Sequence, residues 1–94
     1  MFKIPVFSNK FAIFASVLGV ARTLPNGTTL SSVKNGGSYY AGYNASDSPA
    51  GYGILKVYSD KNNYMIKQLF FPDNSDNIHS RYYYGNTWSG WRQL

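Results

Sequence analysis

From Leu24 onward the chain is cut at short, regular intervals by turn-forming clusters: Pro25-Asn26-Gly27, Lys34-Asn35-Gly36-Gly37, the stretch 44–51, Ser59-Asp60-Lys61-Asn62-Asn63, the stretch 72–77 and Gly85-Asn86. Strands must lie between them. The runs 38–43, 52–58, 64–71, 78–84 and 88–94 are short and rich in aromatic and β-branched side chains, which predicts an all-β domain: a small antiparallel sandwich, barrel or twisted sheet. Composition agrees. Aromatic residues make up 18% of the 94 positions and charged residues 14%, with no Glu at all, whereas helix surfaces are built from Glu, Lys, Gln, Arg and Ala. Hydrophobic content of 44% excludes a disordered chain.

Size limits the chain to one domain. A chain this short buries only about 60% of its unfolded surface, and with no cysteine it has no disulfide to compensate. Oligomerisation is the expected supplement. Absence of cysteine leaves the redox compartment open.

Alternation assigns some faces. Leu55 and Val57 share one face with Gly53 and are expected in the core, opposite Tyr52, Ile54, Lys56 and Tyr58. In 64–71 both faces are largely apolar, which predicts a strand covered on both sides. In 78–84, Ile78, Ser80, Tyr82 and Tyr84 read as the packed face. His79, Arg81 and Tyr83 read as a polar, aromatic face open to a ligand.

The stretch 11–21 is apolar but too short for a bilayer that needs about 20 residues, so no membrane insertion is expected. Phe11, Phe14, Leu18 and Ala21 fall at helical spacing and could form the end of a stalk. The same stretch, preceded by Lys3 and Lys10, also matches the h-region of a secretory leader. β-rich packing of these residues is equally allowed.

The net charge of +5 favours anionic partners, yet the nine Lys and Arg are spread along the chain with no basic run. The inventory for catalysis is poor: one His, four Asp, no Cys and no Glu. A Cys/His zinc site is impossible. His79 sits in no nucleophile motif, phosphate-cradling glycine loops are missing, and Asp73 and Asp76 read as turn residues. No enzyme, no cofactor and no metal site are expected. Asn26-Gly27-Thr28 and Asn44-Ala45-Ser46 match glycosylation triplets that an Asn- and Ser-rich chain produces easily.

The C-terminal run Arg81-Tyr82-Tyr83-Tyr84-Gly85-Asn86-Thr87-Trp88-Ser89-Gly90-Trp91-Arg92-Gln93-Leu94 places an Arg-bearing strand, a Gly/Asn turn, Trp-Ser-x-Trp and a final Leu in sequence. Upstream stand Pro25-Asn26-Gly27-Thr28-Thr29-Leu30, Gly37-Ser38-Tyr39-Tyr40 and Gly53-Ile54-Leu55-Lys56-Val57. Together these blocks resemble the pyocin-knob-like domains that close phage tail fibres, receptor-binding proteins and tailocin fibres. The resemblance covers 25–94 as a knob-like domain and leaves 1–24 as a stalk, anchor or linker. It implies a homotrimer on a virion tail or capsid fibre, facing outward, in contact with other fibre or virion proteins and with a host surface polysaccharide such as teichoic acid or lipopolysaccharide.

Within that picture, His79, Arg81, Tyr83 and Arg92 are the expected ligand-binding residues, since guanidinium groups grip anionic substituents and aromatic rings pack on sugars. Arg81 and Arg92 could instead serve as cation–π partners of the tyrosines. Trp88, Trp91, Leu55 and Val57 are the expected structural residues, with a bend at Gly90 turning both indoles toward one patch. A knob that only caps and registers the trimer is the plainer alternative. A rival class is a single-stranded nucleic-acid binder that stacks bases on Tyr. Nucleic acid is the less expected partner. A third class is a secreted lectin-like domain.

Overall fold

A computed structural model describes residues 20–94; of the helical seam and leader expected over 11–21, residues 11–19 lie outside the described residues. The described chain forms one seven-stranded mixed sheet: β1 (Arg22–Thr23), β2 (Gly37–Ala41), β3 (Gly53–Ser59), β4 (Met65–Pro72), β5 (His79–Tyr84), β6 (Thr87–Trp88) and β7 (Arg92–Gln93). It is all-β, as the turn spacing predicts. β1 runs parallel to β2, and every later neighbour is antiparallel. Leu24, just beyond β1, is already buried in the core, so the packed unit takes in the last residues of the stretch expected as stalk.

The expected final strand 88–94 is two short pieces, interrupted over 89–91. β6 pairs with Tyr83 and Tyr84, and β7 pairs with His79 and Ser80, so both lie on the same edge of β5. Ser89 bridges the gap. Its N–H donates to the Tyr82 carbonyl at 2.8 Å, and the Tyr82 N–H donates to Ser89 Oγ at 2.9 Å. The edge therefore keeps its ladder bonds while the chain bends away. Gly85 and Asn86, at φ +60° and +66°, give the two-residue turn between β5 and β6 the left-handed backbone that such hairpins need.

Among the described residues, only one face of the sheet is covered. Tyr39 and Ala41 of β2, Leu55 and Val57 of β3, and Ile66 and Phe70 of β4 point inward, where Leu24, Leu30, Val33 and Ala45 from the irregular chain pack on them. A single 3₁₀ turn, Leu30–Ser32, supplies the largest plug of that layer. The expectation that β4 is covered on both sides is corrected here. Met65 and Lys67 are exposed on its other face, and no second sheet lies over them among the described residues.

Candidate functional site

The assignment of faces on β5 is inverted relative to the sequence expectation. Register sets Arg81 opposite Gln68 and Tyr83 opposite Ile66, both on the inner face. Arg81 is only 7% exposed. Its Nε donates to Gln68 Oε1 at 2.9 Å, its Nη2 meets Asp47 Oδ2 at 3.0 Å, and its guanidinium lies between the Trp88 and Trp91 rings at 4.3 and 4.4 Å. An arginine is tolerated there because its Nε and Nη2 both have partners, no buried side-chain nitrogen or oxygen among the described residues lacks one, and two indole rings lie against its guanidinium. Arg81 is thus withdrawn from the surface and ties the sheet to its cover.

Asp47 holds the other end. Its Oδ1 accepts the Leu30 N–H and its Oδ2 accepts the Ser31 N–H, each at 2.8 Å, while its carbonyl accepts Trp91 Nε1 at 2.8 Å. Burial works to raise the Asp47 carboxyl. The Leu30 N–H, the Arg81 guanidinium and the Ser31 N–H outweigh it and hold the group below its ordinary value. Gln68, fully buried, completes the cluster by donating from Nε2 to the carbonyls of Leu30 at 2.7 Å and Val33 at 3.0 Å.

The remaining expected residues are scattered. His79 is half-buried on the inner face of β5, across from Phe70. Tyr83 is half-buried, tilted against Trp88 at 5.1 Å with Lys34 Nζ 4.7 Å from its ring centroid. Arg92 is exposed on β7, across from Ser80, on the opposite face from Arg81. Leu55 and Val57 are buried in the core. Trp88 and Trp91 are partly buried against it, Trp91 standing edge-on to Phe70 at 6.2 Å. The four expected ligand residues therefore do not share a surface. Among the described residues, no three metal-ligating side chains gather to hold a cation.

The surface that is open is the outer face of β3, β4 and β5. Register places Tyr58 beside Lys67, Lys67 beside Tyr82, and Met65 beside Tyr84. Lys67 Nζ lies 5.7 Å from the Tyr82 ring centroid, and Tyr64 packs edge-on to Tyr84 at 5.3 Å. Tyr58, Tyr64, Tyr82 and Tyr84 are each at least half exposed. Met65, Lys67, Tyr82 and Tyr84 outline a shallow groove of about 270 Å³. Neither β3, β4 nor β5 contains a carboxylate, since the four Asp residues all lie in connecting segments. Lys56, half-buried in the middle of β3, adds a second cation to the same face.

Residues 20–94 match the model of the XkdV N-terminal domain. The chain belongs to that family. XkdV is a phage tail-related protein, so membership supports a phage virion protein of structural type that meets other virion proteins. The XkdV match agrees with the phage origin implied by the knob resemblance, but it lends no support to a knob domain. No curated protein and no solved structure matches the chain. No helix among the described residues of this XkdV-family domain is long and apolar enough to cross a membrane.

The sequence reasoning missed Gln68 and Asp47, which orient Arg81. One signal was available: a Gln in the middle of Ile66-Lys67-Gln68-Leu69-Phe70 stands at the same parity as Ile66 and Phe70, so it had to be buried if they were. A buried amide needs partners of its own, and an arginine on the next strand is one.

Proposed function

We propose that this phage virion domain is a non-enzymatic adhesion module that binds an anionic host-surface glycan through the open face of its sheet. The observation that carries this reading is Lys67, exposed between Tyr58 and Tyr82 on adjacent strands of a face whose strands carry no carboxylate. Tyrosine rings offer flat apolar area to a pyranose and a hydroxyl to its substituents. A lysine offers a mobile point charge to phosphate. A second copy laid symmetrically over the same face would set lysine near lysine, which disfavours self-docking as the use of this surface.

The wider reading places the domain on a tail or capsid fibre, facing outward, joined to the particle by the segment before the sheet. Three copies, the state implied by the knob resemblance, would multiply weak single-site binding through avidity.

Co-sedimentation with purified host cell walls tests the reading, with oligo(dT) and dextran as competitors. We expect wall binding by the intact protein, displacement by soluble poly(glycerol phosphate), and far weaker displacement by dextran, which offers no anionic group to Lys67. Displacement by oligo(dT) alone, with a steep loss of its binding as salt rises, would replace the glycan reading with a nucleic-acid one.

A further inference from the structure

The open face has a second end. At the end of β4, the segments 50–52 and 72–75 line an open cleft of about 450 Å³. That size falls in the roughly 300–1,000 Å³ range of small-ligand sites. Its base is fixed by the Asp73 N–H donating to the Tyr52 carbonyl at 3.0 Å, one step beyond the β3–β4 ladder. Tyr52, 51% exposed, lines it together with Asp73, Asn74 and Ser75. Gly51 lines it too, with no atom within 4 Å of where a Cβ would stand.

Asp73 is held in place. Tyr40 Oη, reaching from β2, donates to Asp73 Oδ2 at 2.8 Å, while Asp73 Oδ1 has no partner among the described residues. That bond, with a smaller effect of burial, raises the Tyr40 hydroxyl above its ordinary value.

The chemistry differs from that at Lys67. A fixed carboxylate oxygen accepts from hydroxyls, an amide and a serine hydroxyl both donate and accept, and a neighbouring aromatic wall covers an apolar ring. A phosphate would be repelled by Asp73. Asp73 lies six positions after Lys67, about 20 Å at 3.3 Å per residue. From this we infer that the 50–52/72–75 cleft binds a neutral pyranose by a pair of its hydroxyls, with Asp73 as acceptor and Tyr40 as the positioning residue. The inference deepens the glycan reading and rests on it: one polymer laid along β3 and β4 would place its sugar here and its anionic group at Lys67.

The test is titration of the ¹⁵N-labelled protein with methyl α-D-glucopyranoside and methyl α-D-galactopyranoside, up to roughly 50 mM, enough to populate a site of about 10 mM affinity. Saturable shifts of the Gly51, Tyr52, Asp73 and Asn74 amides are expected with at least one glycoside. In variants whose spectra stay native-like, Asp73→Asn should weaken that response at least about tenfold and Tyr40→Phe about threefold, by loss of one charged acceptor and of its anchor. Lys67→Ala should leave it unchanged. Silence of these amides with both glycosides, or wild-type binding by Asp73→Asn, overturns the inference. If the cleft is silent while poly(glycerol phosphate) binds and Lys67→Ala abolishes it, the cleft falls and the glycan reading stands. If the glycosides shift the cleft and the polymer does not bind, the cleft stands and the open-face reading falls.

Discussion

Gln68 and Arg81 stand directly opposite each other across the β4–β5 pair, joined by an Nε–Oε1 bond of 2.9 Å in the covered layer of the sheet. Through Gln68 the pair reaches the carbonyls of Leu30 and Val33, and through Arg81 it reaches Asp47 and two indoles. The cover is therefore attached by a polar cluster as well as by apolar packing, which suits a small domain with a limited core and no disulfide.

Replacing Gln68 with Leu strands the Val33 carbonyl and the Arg81 Nε–H, and leaves the Leu30 carbonyl with the Val33 N–H alone. The expected loss is about 2–4 kcal/mol, from two unsatisfied groups at roughly 1–3 kcal/mol each, partly offset by the added apolar area. Urea unfolding would show a lower midpoint with an unchanged slope. An unshifted midpoint would mean that the cluster contributes nothing net.

Arg81→Ala should destabilise the domain by about 3 kcal/mol, at the lower end for removing one member of a buried pair, because Asp47 keeps its two N–H donors. Arg81→Lys should recover only part of that, since an ammonium cannot span Asp47 and Gln68 while lying flat between two rings. Full rescue by Lys, read from the melting temperature, would contradict the stacked geometry.

The two tryptophans are half-buried, so truncation should cost less than for fully enclosed aromatic side chains, about 2–3 kcal/mol for Trp88→Ala. Trp91→Phe isolates a single contact. It keeps most of the ring area and loses the Nε1 bond to the Asp47 carbonyl, which should cost about 1 kcal/mol by thermal unfolding.

Acid stability carries the signature of Asp47. Its folded carboxyl titrates below its ordinary value, so its contribution is fully present above the ordinary carboxylate value near 4. That contribution is lost as pH falls through the lowered folded value. Denaturation curves at several pH values should therefore show a fall in stability below about pH 4 that Asp47→Asn makes shallower. The variant should also be less stable at neutral pH. Parallel profiles for both proteins would exclude Asp47 as the linked group.

Much of the fold was legible because turn residues mark strand ends whatever the strands pack against, and Gly53, Leu55 and Val57 alternate cleanly. The face of β5 was not legible. Ile78, Ser80, Tyr82 and Tyr84 are no less apolar than His79, Arg81 and Tyr83, so hydrophobicity alone does not orient the strand. What decides it is distant in sequence: Asp47 and Gln68 bind Arg81, and two indoles from either side of the break between β6 and β7 lie against it. The same inversion moved the candidate binding surface from Arg81 and Tyr83 to Lys67, Tyr82 and Tyr84, and left Arg92 apart on the edge strand.

Calorimetric titration of soluble poly(glycerol phosphate) into the wild-type protein and into Lys67→Ala/Tyr82→Ala tests the central claim most directly. Both substitutions lie on the exposed face, so the melting temperature should stay within a few degrees of wild type. Binding that is measurable for the wild type and reduced at least about tenfold in the double variant is the expected result, since a charged contact and a ring contact are removed together. Equal binding by the two proteins, or none by either, would contradict an adhesive role for the open face.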